Sequence, residues 1–156
     1  MTLTSAWLLE CSESFSIAIS DHEMVEYVQS PVCYGIPATP PYCNSVMFWQ
    51  NDFIPVMDVA GVNKTATEQA NDIVCILNYQ VAPMLPLQSI AVRANKAPEK
   101  IQVDDQLACD FPQEISASIL SNIVLSSFTH ADQSVLVLDI PKLCSAEFRQ
   151  LANASR

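Results

Sequence analysis

Two stretches of this 156-residue chain repeat one plan. The first, Asn44 to Val59, runs from an apolar strand (Val46, Met47, Phe48, Trp49) through a polar turn (Gln50, Asn51, Asp52) into Phe53-Ile54-Pro55-Val56-Met57-Asp58-Val59. The second, Asn122 to Ile140, runs from Ile123-Val124-Leu125 through a polar turn at Thr129 to Gln133 into Val135-Leu136-Val137-Leu138-Asp139-Ile140. Each is a strand, a reversal, and a nearly all-apolar strand closed by one aspartate. The repeat implies one chain carrying two copies of a β unit that share a core.

Half of the residues are apolar and only 15% are charged, which excludes a disordered chain and fits one domain of ordinary size, 1–156. Charge is lopsided: 7 Lys and Arg face 17 Asp and Glu, a formal net of −10, and no cation precedes Lys64. Nucleic acid and anionic membrane both require a basic surface, so neither is an expected partner. Met1 to Cys11 holds no basic residue and Glu10 interrupts its apolar run, so it does not read as a secretory signal. Cys11, Cys33, Cys43, Cys75, Cys109 and Cys144 form no CxxC pair, and His22 and His130 lie near no metal-type pair. Reduced thiols, no metal, no cofactor and a cytoplasmic location are expected. No apolar run approaches the roughly eighteen residues that a membrane span needs.

Most of the chain reads as strands. Ser14 to Ser20 alternates, and Glu23 to Gln29 is its partner across Ser20-Asp21-His22. A loop with Pro31, Pro37, Pro40 and Pro41 follows, because proline cannot donate to a central ladder. Asp58 to Val62 reads as a short helical turn, and Thr65-Ala66-Thr67-Glu68 weakly matches a capping box. Further strands fall at Asp72 to Tyr79, Leu87 to Arg93 and Lys100 to Val103. Pro141 to Ala154 reads as a closing helix with Leu143, Phe148, Leu151 and Ala152 on one face. With Gly35 and Gly61 the only glycines, turns are expected to rest on Asn, Asp, Ser and Pro.

This order of segments resembles the CheW family, adaptor domains of bacterial chemosensory systems, over roughly Ser14 to Leu143. The resemblance is carried by Ile17-Ala18-Ile19, Met24-Val25-Glu26-Tyr27-Val28, the proline-rich loop ending Pro40-Pro41-Tyr42, Val46 through Pro55-Val56-Met57-Asp58, and Val135 to Leu143. The chain departs from the pattern where Phe48-Trp49-Gln50-Asn51 replaces the family's Asn-Leu-Arg-Gly turn. Ser89-Ile90-Ala91-Val92-Arg93 likewise replaces a Gly-Leu-apolar-Val-Asp strand.

The resemblance implies a mainly β fold: two SH3-like five-stranded lobes, roughly 13–81 and 82–143, around a shared core, with a short closing helix at 144–154. It also implies a non-catalytic adaptor between the cytoplasmic tip of a chemoreceptor and the regulatory domain of a CheA-type histidine kinase. By motif position the family's groove glutamate is Glu26, and Gln50 takes the arginine's place, so the usual ion pair cannot form. Phe48 stands at a polar position of the family and, with Gln50 on one strand face, becomes a partner-binding candidate, with either Gln50 donating to Glu26 or Glu26 staying in water. Trp49 shares its face with Met47 and reads as core. Asp58 and Asp139 read as structural turn residues.

Two other readings compete. A small-ligand sensor would use the cleft between the lobes. A paired-aspartate hydrolase would use Asp58 and Asp139, but the runs Asp58-Val59-Ala60 and Asp139-Ile140-Pro141 lack the hydroxyl and glycine of such sites. No G-x-S-x-G occurs either, and an enzyme is not expected.

Overall fold

The computed structural model describes residues 3–12, 16–63, 73–104, 109 and 118–154. Strands run as β1 (Leu3–Glu10), β2 (Ser16–Ser20), β3 (Met24–Gln29), β4 (Cys33–Gly35), β5 (Ser45–Trp49) and β6 (Asp52–Met57). They continue as β7 (Ile73–Tyr79), β8 (Gln88–Ala94), β9 (Glu99–Asp104), β10 (Val124–His130) and β11 (Gln133–Leu138), before helices α1 (Ile140–Leu143) and α2 (Ala146–Ala154). Short 3-10 turns stand at Pro41–Cys43, Val59–Asn63 and Ile119–Asn122. The capping-box residues 65–68 lie outside the described residues.

The strands make two sheets, ordered β10-β11-β2-β1-β9 and β3-β7-β8-β6-β5-β4. Leaving aside β4, both follow one scheme: a hairpin whose second strand pairs in parallel with its neighbour (β11 with β2, β6 with β8), then two antiparallel steps. The chain reaches equivalent positions in permuted order. β1 and β2 in the first sheet do the work of β7 and β8 in the second. Sequence follows topology: Ser16-Ile17-Ala18-Ile19 on β2 matches Ser89-Ile90-Ala91-Val92 on β8. In register, Ala18 faces Val137 and Ala91 faces Val56.

The lobes are therefore not the sequential halves 13–81 and 82–143. The N-terminal hairpin completes the lobe built by the C-terminal strands, because the apolar strand β11 needs a parallel neighbour and β2 supplies it. One sheet has six strands rather than five, since Cys33–Gly35 pairs with β5 inside the proline-rich segment. Its position at the sheet edge leaves Pro31 and Pro37 outside the ladder. The closing helix is broken into α1 and α2 at Cys144-Ser145.

Alternation explains why so many strands are apolar throughout: both faces are covered. Along β7, Val74 and Ile76 point into their own lobe with Met47, Ile54, Val56 and Ala91, while Cys75, Leu77 and Tyr79 point toward the other lobe. Along β2 and β11, Ala18 and Val135 pack with Ala6, Ile101 and Phe128, while Ile17, Ile19, Leu136 and Leu138 join the shared core. Phe148 of α2 is fully buried and meets Tyr42 edge-on at 5.4 Å, tying the C-terminal helix to the junction.

Candidate functional site

The β5–β6 hairpin turns on two residues, Gln50 at φ 48° and Asn51 at φ 66°. Positive φ at both central positions is the geometry whose twist matches paired strands. A two-residue turn places Phe48 directly opposite Phe53. Their rings meet at 5.3 Å, and Tyr34 of β4 reaches Phe53 at 6.3 Å, both edge-on. All three are open to solvent, at 54% for Tyr34, 55% for Phe48 and 60% for Phe53. Three clustered exposed aromatics make an apolar surface patch of the kind that marks interaction sites. Phe53 and Tyr34 are not among the residues singled out from sequence. The signal for Phe53 was the turn length, which fixes its register opposite Phe48.

Trp49 faces inward with Met47, and its indole Nε1 donates to Glu26 Oε1 at 2.6 Å. Glu26 lies on β3 and Trp49 on β5, strands that are far apart in sheet order, so this bond spans the curled sheet at its rim. Glu26 therefore takes its hydrogen bond from Trp49 and not from Gln50. Gln50 sits in the left-handed turn, where strand alternation ends, and so does not continue the face of Phe48. It lines a pocket of about 400 Å³ together with Trp49, Asp52, Phe53, Leu87 and Gln88. Asp52 Oδ1 accepts from the Phe53 amide at 2.9 Å. Among the described residues the ion pairs are Lys96–Glu10 and Lys100–Asp21, and neither involves the rim carboxylates.

The two repeat-closing aspartates occupy matching places. The Asp58 amide donates to Tyr42 O at 2.7 Å, and the Asp139 amide donates to Ile123 O at 2.8 Å, each reaching back to the turn that precedes its hairpin. Asp139 Oδ1 also accepts from the Lys142 amide at 3.2 Å and caps α1. Gly61 N–H donates to the Asp58 carbonyl at the following 3-10 turn.

The interior is chemically quiet. Burial pushes the Cys75 thiol up to about 12 and the Cys144 thiol up to about 11, the latter partly offset by a hydrogen bond with Tyr79. Burial likewise raises Cys11, Tyr42 and Tyr79. No disulfide joins the six cysteines. Among the described residues no group of three His, Cys, Asp or Glu is placed to hold a metal. No described helix is long and apolar enough to cross a membrane. The space between the lobes, where a sensor would need a cleft, is filled by core side chains such as Leu9, Ile17, Leu77 and Leu136, all fully buried. A cavity of about 490 Å³ lies instead along the five-stranded sheet, lined by Ala6, Ala18, Val103, Phe128 and Val137.

The fold is similar to the scaffolding protein TtCheW from Thermoanaerobacter tengcongensis, at 14% identity and a TM-score of 0.72 over 95% of this chain and 92% of that one. The two sheets are thus the two SH3-like lobes of that fold. No curated protein matches the sequence. The CheW-like domain family model matches residues 8–148, nearly the whole chain including both hairpins, the rim glutamate and the start of the closing helix, and the protein belongs to that family.

Proposed function

We propose that this chain is a non-catalytic cytoplasmic adaptor that couples the cytoplasmic tip of a chemoreceptor to the regulatory domain of a CheA-type histidine kinase. The observation that carries the reading is the exposed aromatic cluster on the hairpin whose Trp49 holds Glu26, on a chain whose family supplies scaffolds. Glu26 and Phe48 are the partner-facing residues, and Gln50 at the hairpin tip lines the neighbouring pocket with Trp49, Asp52 and Phe53. Asp58 and Asp139 have structural roles. Action is positional: holding receptor and kinase in one assembly lets a receptor's conformational equilibrium bias the kinase, which requires differential contact with its two states.

Affinity capture from the native cytoplasm, with mass spectrometry of what is retained, tests this. Recovery of a chemoreceptor or a CheA-type kinase supports the adaptor. Recovery of neither, or a hydrolytic activity abolished by Asp58→Asn with the fold intact, refutes it.

A further inference from the structure

Resting on the adaptor reading, we infer the chemistry of the receptor segment that this surface accepts: apolar side chains set on the Tyr34–Phe53–Phe48 rings, flanked by a Lys or Arg that enters the pocket lined by Trp49 and Asp52, whose Trp49 indole also holds the Glu26 carboxylate. The two halves of this surface are contiguous, because Phe53 belongs to the aromatic cluster and also lines the pocket. The ring spacings of 5.3 and 6.3 Å match one turn of a helix, about 5.4 Å, so apolar residues one turn apart can each meet a ring.

Charge determines what flanks them. From Met24 to Ala94 the sequence holds five acids (Glu26, Asp52, Asp58, Glu68, Asp72) against two bases, Lys64 and Arg93. Arg93 stands four residues along β8 from Ser89 of the pocket wall, on the order of 13 Å away. The Trp49 indole fixes the Glu26 carboxylate at the rim. A cation brought there meets carboxylates and ring faces together, where both attractions act. A second copy of this chain suits the site poorly, since its net charge is −10 and Lys96 and Lys100 already sit beside Glu10 and Asp21. The loss of the family's turn arginine thus has a counterpart: the cation comes from the partner.

Isothermal titration of the full chain with a purified chemoreceptor tip fragment from the same cell, at about 50 mM and about 300 mM NaCl, tests this. Wild type should bind more weakly at the higher salt. The paired substitution Glu26→Gln with Asp52→Asn should weaken binding at low salt at least about tenfold and flatten the salt dependence. Phe53→Ala should weaken binding at least about tenfold while keeping the salt dependence. Tyr34→Ala repeats the aromatic arm if Phe53→Ala melts early. If wild type binds and the carboxamide pair keeps its affinity and salt response, or both aromatic variants bind as wild type does, the inference is overturned and the adaptor reading stands. If wild type does not bind the fragment at all, receptor coupling falls and this inference falls with it.

Discussion

Replacing Ala131 with glycine should stabilise the protein. The β10–β11 hairpin turns on Ala131 at φ 49° and Asp132 at φ 64°. An L-residue other than glycine costs about 1–2 kcal/mol in this left-handed region, because its Cβ crowds the following carbonyl. Glycine removes that strain but adds backbone freedom to the unfolded chain, worth about 0.5–1 kcal/mol. The balance is a gain of about 0.5–1 kcal/mol. Unfolding entropy near 2.1 cal/mol/K per residue over 156 residues makes 1 kcal/mol worth about 3 °C, so the expected rise in Tm is about 2–3 °C. Ala152→Gly is the opposing control. Ala152 is buried on α2, where glycine costs about 1 kcal/mol of helix propensity and leaves a methyl-sized gap besides. Scanning calorimetry of the two variants should therefore give shifts of opposite sign. A fall in Tm for Ala131→Gly comparable to that for Ala152→Gly would refute the strain argument.

Other outcomes follow from the same geometry. Phe148→Ala removes a fully buried ring and its edge contact with Tyr42 and should cost about 3–5 kcal/mol in urea unfolding. Phe48→Ala should weaken partner binding at least about tenfold yet move Tm by no more than about 2 °C, because the ring is 55% exposed; a large drop in Tm with binding intact would make it a core residue. Asp139→Ala should cost about 1 kcal/mol through the lost cap and Asp139→Asn distinctly less, read from denaturant midpoints. Stability should fall as pH rises from 9 toward 11. In that window the unfolded chain, with thiols at the ordinary 9.0, sheds protons that folded Cys75 and Cys144 retain, so unfolding is favoured; a Tm flat from pH 8 to 11 would contradict this.

The strand inventory was legible where apolar runs are bounded by polar turns, as at Val46 to Asp58 and Val135 to Asp139. The lobe boundary was not, because the pairing of β2 with β11 joins strands more than a hundred residues apart, and no local pattern says which strand is the neighbour. Its trace was present in the matching Ser-Ile-Ala quartets at Ser16 and Ser89, which share topology and not chain order. β1 was obscured by Ser5 and Ala6 and by Thr4 being the one β-branched residue in Leu3–Glu10. At the candidate site, motif position drew attention to Glu26 and Phe48, and the exposure of Phe48 was legible from strand alternation. Phe53 required the turn length, and the Trp49–Glu26 bond required the curl of the sheet, which no local pattern encodes. Turn chemistry was only partly legible: Asn51 and Asp132 suit positive φ, but Ser30, Ala38, Gln50, Met84 and Ala131 adopt it too, while neither glycine does.

The permuted order of the strands sets a sequence of events during synthesis. The lobe of β3 to β8 has all its strands once residue 94 has emerged. The N-terminal hairpin, made earlier, has to wait for β11, which ends at Leu138. At 5–20 residues per second that interval is on the order of ten seconds, during which Leu9, Ile17 and Ile19 lack their final cover. The open edge of β2 will accept any strand with the apolar pattern of β11, including the β11 of a neighbouring nascent chain. An exchange of these N-terminal hairpins between two molecules would rebuild every native contact in each lobe, which makes polysome crowding, and not the mature fold, the point at which this protein is most exposed to entanglement.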